Sequence, residues 1–180
     1  MSEIQVASRY AKSLIDLAQE QNALEPVKSN MELFAETLHN NPQLQAVLKN
    51  PIVGLDKKAN ILNGLFASKV NPLVLAFFKI MVNKGRSAVL YATAKEFVNA
   101  YNLRKNITKA TVVSAVPLSA ENKKQMEEVI KQSTQGDVIL DAQVDAALIG
   151  GFVLKVGDKQ FDASLANQLN KLKKEFKQNA

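Results

Sequence analysis

Hydrophobic positions recur with a helical period through the first hundred residues. Placed at 100° steps, the apolar residues of the window 4–20 cover an arc of about 180°, against the roughly 100° that one core-facing stripe requires. A helix with so wide an arc is either wedged between two neighbours or turns one edge toward a partner. The window therefore predicts a first helix with more apolar surface than a simple surface helix.

Five more helices follow this one. Pro26 suits the first turn of the second, whose stripe is Val27, Met31, Phe34 and Leu38. Residues 44–48 predict a short third helix. Residues 55–66 predict a fourth, with the following side chains pointing inward: Ala59, Leu62, Leu65 and Phe66. The sixth has the following inner positions: Leu90, Ala94, Phe97, Val98 and Tyr101.

The fifth helix is apolar nearly all round. Asn71 is its expected N-cap, Pro72 its first residue and Gly85 its left-handed C-terminal stop. Residues 73–82 between them contain one charged side chain. Such a helix must be covered on every side. Either it is the central helix of the bundle, or another chain covers its outer side.

The period changes after residue 106. Residues 107–116 predict a strand and residues 120–133 a helix that Ser119 can cap. Residues 138–144 alternate like a strand, and a second apolar run follows Gly150-Gly151 at 152–156. A turn at Gly157-Asp158 lets residues 159–161 return as a short strand. The last helix begins near Asp162 or Ser164 and has the following stripe: Leu165, Leu169, Leu172 and Phe176.

These elements predict a mostly helical α+β protein with two domains. Residues 1–105 are expected to form a six-helix bundle. Residues 106–180 are expected to form a small domain with the order strand, helix, strand, strand, helix. The expected topology of the second part is therefore β-α-β-β-α.

Charge and composition give limited information about partners. The net charge is +6, of which residues 1–106 hold 13 − 8 = +5 and residues 107–180 hold 10 − 9 = +1. The basic residues are scattered except for Lys171, Lys173, Lys174 and Lys177, which suit a solvated last turn. A basic helical nucleic-acid adaptor remains the alternative, although it would need clustered basic and aromatic side chains.

The residue types of catalytic sites are sparse. Cysteine is absent, and His39 is the one histidine and has no companion for catalysis or metal binding. Gly150-Gly151 leads into a strand rather than a helix N-terminus, so a close backbone approach or a bulge explains the pair better than a phosphate cradle. Turn and cap roles explain the acidic residues Asp158 and Asp162. We therefore expect no catalytic residue, no metal and no cofactor. Among the functional hypotheses, an enzyme of unfamiliar type ranks a distant third.

The first residues and the longest apolar run bear on targeting. The N-terminus has no basic segment followed by an apolar one, so no signal peptide is expected. Residues 73–78 are the longest apolar run and are far too short to span a bilayer, which takes about 20 residues.

Three separate stretches of the chain form a distinctive set. The C-terminal stretch has Val144-Asp145, Leu148, Gly150-Gly151-Phe152, Leu154-Lys155, Gly157-Asp158, Asp162, Ser164-Leu165, Leu169 and Leu172. The other two are residues 7–14, ASRYAKSL, and residues 81–86, MVNKGR. Together they resemble the delta subunit of F-type ATP synthase, whose mitochondrial relative is the oligomycin-sensitivity-conferring protein. The resemblance covers essentially the whole chain.

The resemblance implies a non-catalytic stator subunit. Subunits of this type link the α3β3 catalytic head to the b-subunit stalk, so that the head does not turn with the rotor of the proton-driven machine. Their N-terminal bundle binds the N-terminal helix of an α subunit between helices one and five. That places the contact on the following residues: Ala7, Tyr10, Ala11, Leu14, Phe77, Ile80, Met81 and Lys84.

The same resemblance implies a second partner and a location. The C-terminal domain meets the C-terminal end of the b subunit, for which Phe161, Leu165 and Leu169 are the candidate residues. One copy per complex is expected, with no nucleic acid bound. The complex would hold the chain at the cytoplasmic face of a bacterial inner membrane, as a peripheral membrane protein.

Overall fold

The computed structural model describes residues 3–134, 136–157 and 159–178, leaving aside the side chains of residues 133, 134 and 175–178. Asp158 and the side chains of Phe176 and Lys177, all named above, lie outside this description. The chain forms two compact units, Met1–Tyr101 and Asn102–Ala180. The domain boundary that the sequence predicts, between residues 105 and 106, stays a prediction.

The described residues form helices in the first unit and a mixed α/β arrangement in the second. The helices are α1 (Glu3–Glu20), α2 (Leu24–Asn40), α3 (Pro42–Lys49), α4 (Leu55–Phe66), α5 (Pro72–Asn83), α6 (Leu90–Arg104), α7 (Ala120–Thr134) and α8 (Leu165–Gln178). A short 3-10 helix, Ser87–Val89, precedes α6. The strands are β1 (Ile107–Ser114), β2 (Asp137–Val144), β3 (Phe152–Val156) and β4 (Lys159–Asp162). This confirms the predicted fold class, and the short return strand makes the sheet four-stranded.

The core of the first unit is built around three aromatic rings. Phe34 of α2 lies 4.3 Å from Phe78 of α5 and 5.2 Å from Phe66 of α4, measured between ring centroids. All three side chains are fully buried. Rings in tilted and edge-on contact gain attraction beyond the area they bury, so this cluster ties α2, α4 and α5 together.

Local signals set the two ends of α5 as the sequence predicts. The Asn71 side chain accepts a hydrogen bond from Leu73 N at 2.9 Å, which satisfies one of the free N–H groups of the first turn. At the other end Gly85 adopts φ +67°, and Arg86 N donates to Met81 O at 2.8 Å. This pairing satisfies carbonyls that the helix leaves free.

The prediction of inward-facing side chains on α4 is wrong at one position. Leu65 is 45% exposed, while Lys58 is 4% exposed and takes an interior place instead. The Lys58 ammonium donates to Leu48 O at 2.9 Å and to Ser87 Oγ at 3.0 Å. These acceptors are 10 and 29 residues away, and they provide the polar contacts that a buried lysine requires.

The second unit contains a sheet with the strand order β2-β1-β3-β4. β1 pairs parallel with β2, and β3 pairs antiparallel with both β1 and β4. α7 connects the two parallel strands and lies against β2. Ala110 and Val112 of β1 and Ile130 of α7 are the buried apolar side chains of this layer.

Gly151 allows the close backbone approach that the sequence suggests for the Gly-Gly pair. It adopts φ +79°, and a Cβ at this position would overlap the carbonyl oxygen of Ala163. A Cβ on Gly150 would collide with the Leu165 side chain. The pair therefore lets the start of α8 lie directly against the chain that enters β3.

Candidate partner-binding surfaces

The rings of Tyr10 on α1 and Phe77 on α5 are in contact with each other. Their ring centroids are 6.5 Å apart and their planes are inclined at 69°, an edge-on contact. Both side chains are partly buried, so each ring keeps one surface accessible. The two rings therefore mark the seam between α1 and α5 on the surface of the bundle.

Half of the residues predicted to face the α subunit lie in the interior instead. The side chains of Ala7, Ala11, Leu14 and Met81 are each at most 1% exposed. Helical periodicity explains their burial, because these positions lie in the middle of the apolar arcs and pack in the bundle's core. In this structure they offer a partner no surface.

The other four predicted residues retain accessible surface. Tyr10 and Phe77 are partly exposed, Ile80 is 53% exposed, and Lys84 is exposed at the C-cap of α5. Phe77, Ile80 and Lys84 follow at i, i+3 and i+7, so they share one edge of α5. That edge is the one that meets Tyr10.

Three further residues extend this edge surface and were missed by the sequence analysis. On α1, Val6 and Leu17 lie on the same edge as Tyr10. Val6 is partly buried and Leu17 is 40% exposed. On α5, the partly buried Leu73 precedes Phe77 by one turn. We call the following set the α1–α5 strip: Val6, Tyr10, Leu17, Leu73, Phe77 and Ile80. The signal was present in the wide apolar arc, but the arc does not show which of its parts is the core.

The three residues predicted to meet the b subunit are all accessible, and they lie on two elements of the second unit. Phe161, 57% exposed, lies on β4 directly opposite Leu154 of β3. Leu165 and Leu169 are 45% and 60% exposed on α8.

The surface next to Leu154 is an apolar cleft between α7 and β3. It has a volume of about 460 Å³. Its apolar lining is formed by Leu118, Met126, Val129, Ile130, Phe152 and Leu154. Helix α7 lies against β2, and Phe152 and Leu154 of β3 are only partly buried, so a cleft is left beside β3.

The start of α8 is fixed by a set of short hydrogen bonds. The Asp162 carboxylate accepts from Ser164 N at 2.9 Å, and Ser164 Oγ accepts from Asn167 N at 3.3 Å. Leu165 N donates to Gly150 O at 3.0 Å. The hydrogen bonds from Ser164 hold the pKa of the Asp162 carboxyl below its usual value, and the charge of Lys171 adds to the effect. Ser164 is thus the N-cap of α8.

Comparison with known proteins identifies the family. A family profile described as "ATP synthase delta (OSCP) subunit" matches residues 6–176. The chain belongs to the ATP synthase delta (OSCP) family. It is similar to the ATP synthase subunit delta of Cytophaga hutchinsonii, with 38% identity over 98% of this chain and 96% of that one. The corresponding subunit of Flavobacterium psychrophilum is 34% identical over 98% and 99%.

A solved structure shares the fold of this delta (OSCP) family member. It is a chain of the Toxoplasma gondii mitochondrial ATP synthase hexamer, with a TM-score of 0.73 and 24% identity. The match covers 94% of the present chain and 96% of the other. Because both units are included, the match extends to the small sheet domain as well as the bundle.

Two further polar residues of this family member, His39 and Asp145, lie at the ends of secondary-structure elements. His39 is exposed in the last turn of α2. Asp145 accepts from Ala147 N at 2.9 Å in the turn after β2. Among the described residues, no three His, Cys, Asp or Glu side chains come together as a metal site. No helix in the described ranges is long and apolar enough to cross a membrane.

Proposed function

We propose that this chain is a stator link of an F-type ATP synthase, with one contact surface on each of its two units. As a delta (OSCP) subunit it is a component of the peripheral stalk. One surface would hold the α3β3 head and the other the b-subunit stalk, so that the head does not turn with the rotor. The observation that carries the proposal is the open α1–α5 strip, because a surface of this kind suits an amphipathic helix.

The first contact is the N-terminal helix of an α subunit on the α1–α5 strip. Tyr10 and Phe77 supply large rings with accessible surface at its centre, and Ile80 supplies an aliphatic anchor that is 53% exposed. Aromatic residues surrounded by apolar neighbours typically provide most of the binding free energy of an interface. Lys84 lies at the end of the strip and can pair with a carboxylate of the α subunit.

The second contact is the b subunit on the second unit. The exposed side chains of Phe161, Leu165 and Leu169 support it. A link that resists torque must dissociate slowly, which suggests a nanomolar complex, about −12 kcal/mol for each contact. The work is done by binding alone, so the chain has no catalytic role and needs no cofactor. One copy in each complex would lie at the cytoplasmic face of a bacterial inner membrane.

The test is a calorimetric titration of the full chain with a peptide that corresponds to the N-terminal helix of the α subunit. The parent protein should bind with sub-micromolar affinity. Ile80→Asp should bind at least about 30-fold more weakly, since a carboxylate would be buried in the apolar contact. Ile52→Asp is the matched control, because Ile52 is 89% exposed in the α3–α4 loop and lies on neither α1 nor α5.

Three results would contradict the proposal, each at a different level. Equal weakening by both variants would show that the loss is an effect of charge rather than of the strip. Tight binding that neither variant changes would place the α subunit on another surface. Absence of binding to the peptide and to the isolated head would contradict the stator function itself.

A further inference from the structure

Helix α8 is attached at its first turn and extends away from that attachment. Leu165 N donates to Gly150 O at 3.0 Å, and the Leu165 side chain packs on Gly150. Beyond this turn Leu169 and Leu172 are 60% and 50% exposed. The helix has 14 residues, and an isolated helix of about 12–15 residues is only marginally stable in water. A partner that covers the exposed leucines would therefore stabilise this helix.

The exposed leucines of α8 have the spacing of a coiled-coil seam. Leu165, Leu169 and Leu172 are separated by four and three residues, as at successive d, a and d positions of a heptad. A seam of this kind pairs with another helix, since each leucine inserts between four side chains of the facing helix. Its geometry favours an α-helical partner over an extended peptide.

The charge of α8 indicates the kind of helix. Three of its lysines, Lys171, Lys173 and Lys174, are exposed. The complete sequence of the helix has four lysines and one glutamate, which gives 4 − 1 = +3. Lys173 follows Leu172 directly and so flanks the seam, where opposite charges on two paired helices select partners.

We propose that α8 binds an acidic amphipathic helix, by coiled-coil pairing along Leu165, Leu169 and Leu172. The inference rests on the proposed stator function and names the chemistry of the stalk contact. The b-subunit helix that covers α8 should carry a matching apolar seam and an excess of carboxylates beside it. The lysines of α8 then accelerate association and disfavour basic helices.

The experiment measures binding of the full chain to the soluble domain of the b subunit from the same ATP synthase. Leu169→Gln tests the seam, because glutamine keeps a good helix propensity while it removes the apolar contact. The double variant Lys171→Glu/Lys173→Glu tests the charge. Lys109→Glu/Lys124→Glu is its matched control, because it makes the same change of charge at exposed positions on β1 and α7. Circular dichroism checks that each variant remains folded.

The expected result is a loss of at least tenfold in affinity for Leu169→Gln and for the α8 charge variant, and a change below twofold for the control. The affinity of the parent should also fall as salt is raised, and that of the α8 charge variant should fall less. Three other results would overturn the inference. If the α8 charge variant binds as well as the parent or more tightly, the partner helix is not acidic. If Leu169→Gln has no effect, the stalk meets another surface. If the parent does not bind the b subunit at all, the stalk half of the proposed function fails as well.

Discussion

The Tyr101 hydroxyl of α6 lies 2.7 Å from both carboxylate oxygens of Glu25 on α2. The two residues are 76 positions apart, and Tyr101 is 5% exposed. Lys28, one turn after Glu25, lies 5.7 Å from the centroid of the Tyr101 ring. This contact fastens the last helix of the bundle to its second.

The contact predicts a specific loss of stability at alkaline pH. The hydrogen bond to Glu25, burial and the carboxylate charge raise the pKa of Tyr101 from 10.0 to about 12. Because the pKa of the folded state lies above that of the unfolded state, the stabilisation is complete below pH 10. It is lost as the pH rises through about 12. Tyr101→Phe should therefore be about 1–3 kcal/mol less stable than the parent at pH 8. That difference should shrink between pH 10 and pH 12.

Urea unfolding of the parent and of Tyr101→Phe across this pH range measures the effect. Comparing the two proteins cancels the titration of the lysines, which both share. Tyr91→Phe is the control, since the described residues give the Tyr91 hydroxyl no hydrogen bond. A constant difference between parent and Tyr101→Phe up to pH 12 would show that Glu25 does not hold the proton on Tyr101.

The buried Lys58 predicts an unusual pair of results. Its ammonium contacts two neutral oxygens, and no carboxylate of the described chain pairs with it. Ser87 Oγ also donates to Leu48 O at 2.8 Å, so that carbonyl keeps a partner without the lysine. Lys58→Met should be neutral or stabilising by about 1 kcal/mol, because it removes a buried charge and keeps the apolar stem.

Ser87→Ala should have the opposite effect. It removes an acceptor of the Lys58 ammonium and leaves that charge with one protein partner, which should cost about 1–3 kcal/mol. Chemical unfolding of both single variants and of the double variant measures the coupling between the two side chains. If Lys58→Met proves strongly destabilising, the ammonium has a favourable role that its two neutral contacts do not explain.

Gly151 and Gly64 allow a comparison between a glycine that the backbone conformation requires and one that it does not. Gly151→Ala should destabilise the second unit by about 1–3 kcal/mol, because φ is +79° and the new Cβ would overlap Ala163 O. Gly64 lies in α4 with open space around it, so Gly64→Ala should stabilise the first unit by up to about 1 kcal/mol. Thermal unfolding of each variant checks both signs. If Gly151→Ala unfolds like the parent, the close approach at the start of α8 is not required.

These examples show which features the sequence could predict. The two ends of α5 depend on local signals, Asn71 before Pro72 and Gly85 after the helix, and both were predicted correctly. The inward position of Leu65 was wrong, because periodicity locates an apolar arc but cannot foresee that Lys58 finds acceptors on α3 and at Ser87. The central position of β1 in the sheet also depends on pairing between distant segments, which alternation along one strand does not reveal.

The interior position of Ala11 leads to the last prediction, which separates packing from partner binding. Ala11 is 1% exposed within the bundle, next in sequence to Tyr10 of the α1–α5 strip. Ala11→Leu should overpack the core and lower the free energy of unfolding by about 1–3 kcal/mol without any partner present. Ala46→Leu is the control, because Ala46 is exposed on α3 and should accept leucine at almost no cost. Urea unfolding of the free chain decides between the two roles. If Ala11→Leu keeps the parent stability but loses the α-subunit peptide, then the bundle opens at this helix when it binds, and Ala11 belongs to the partner surface after all.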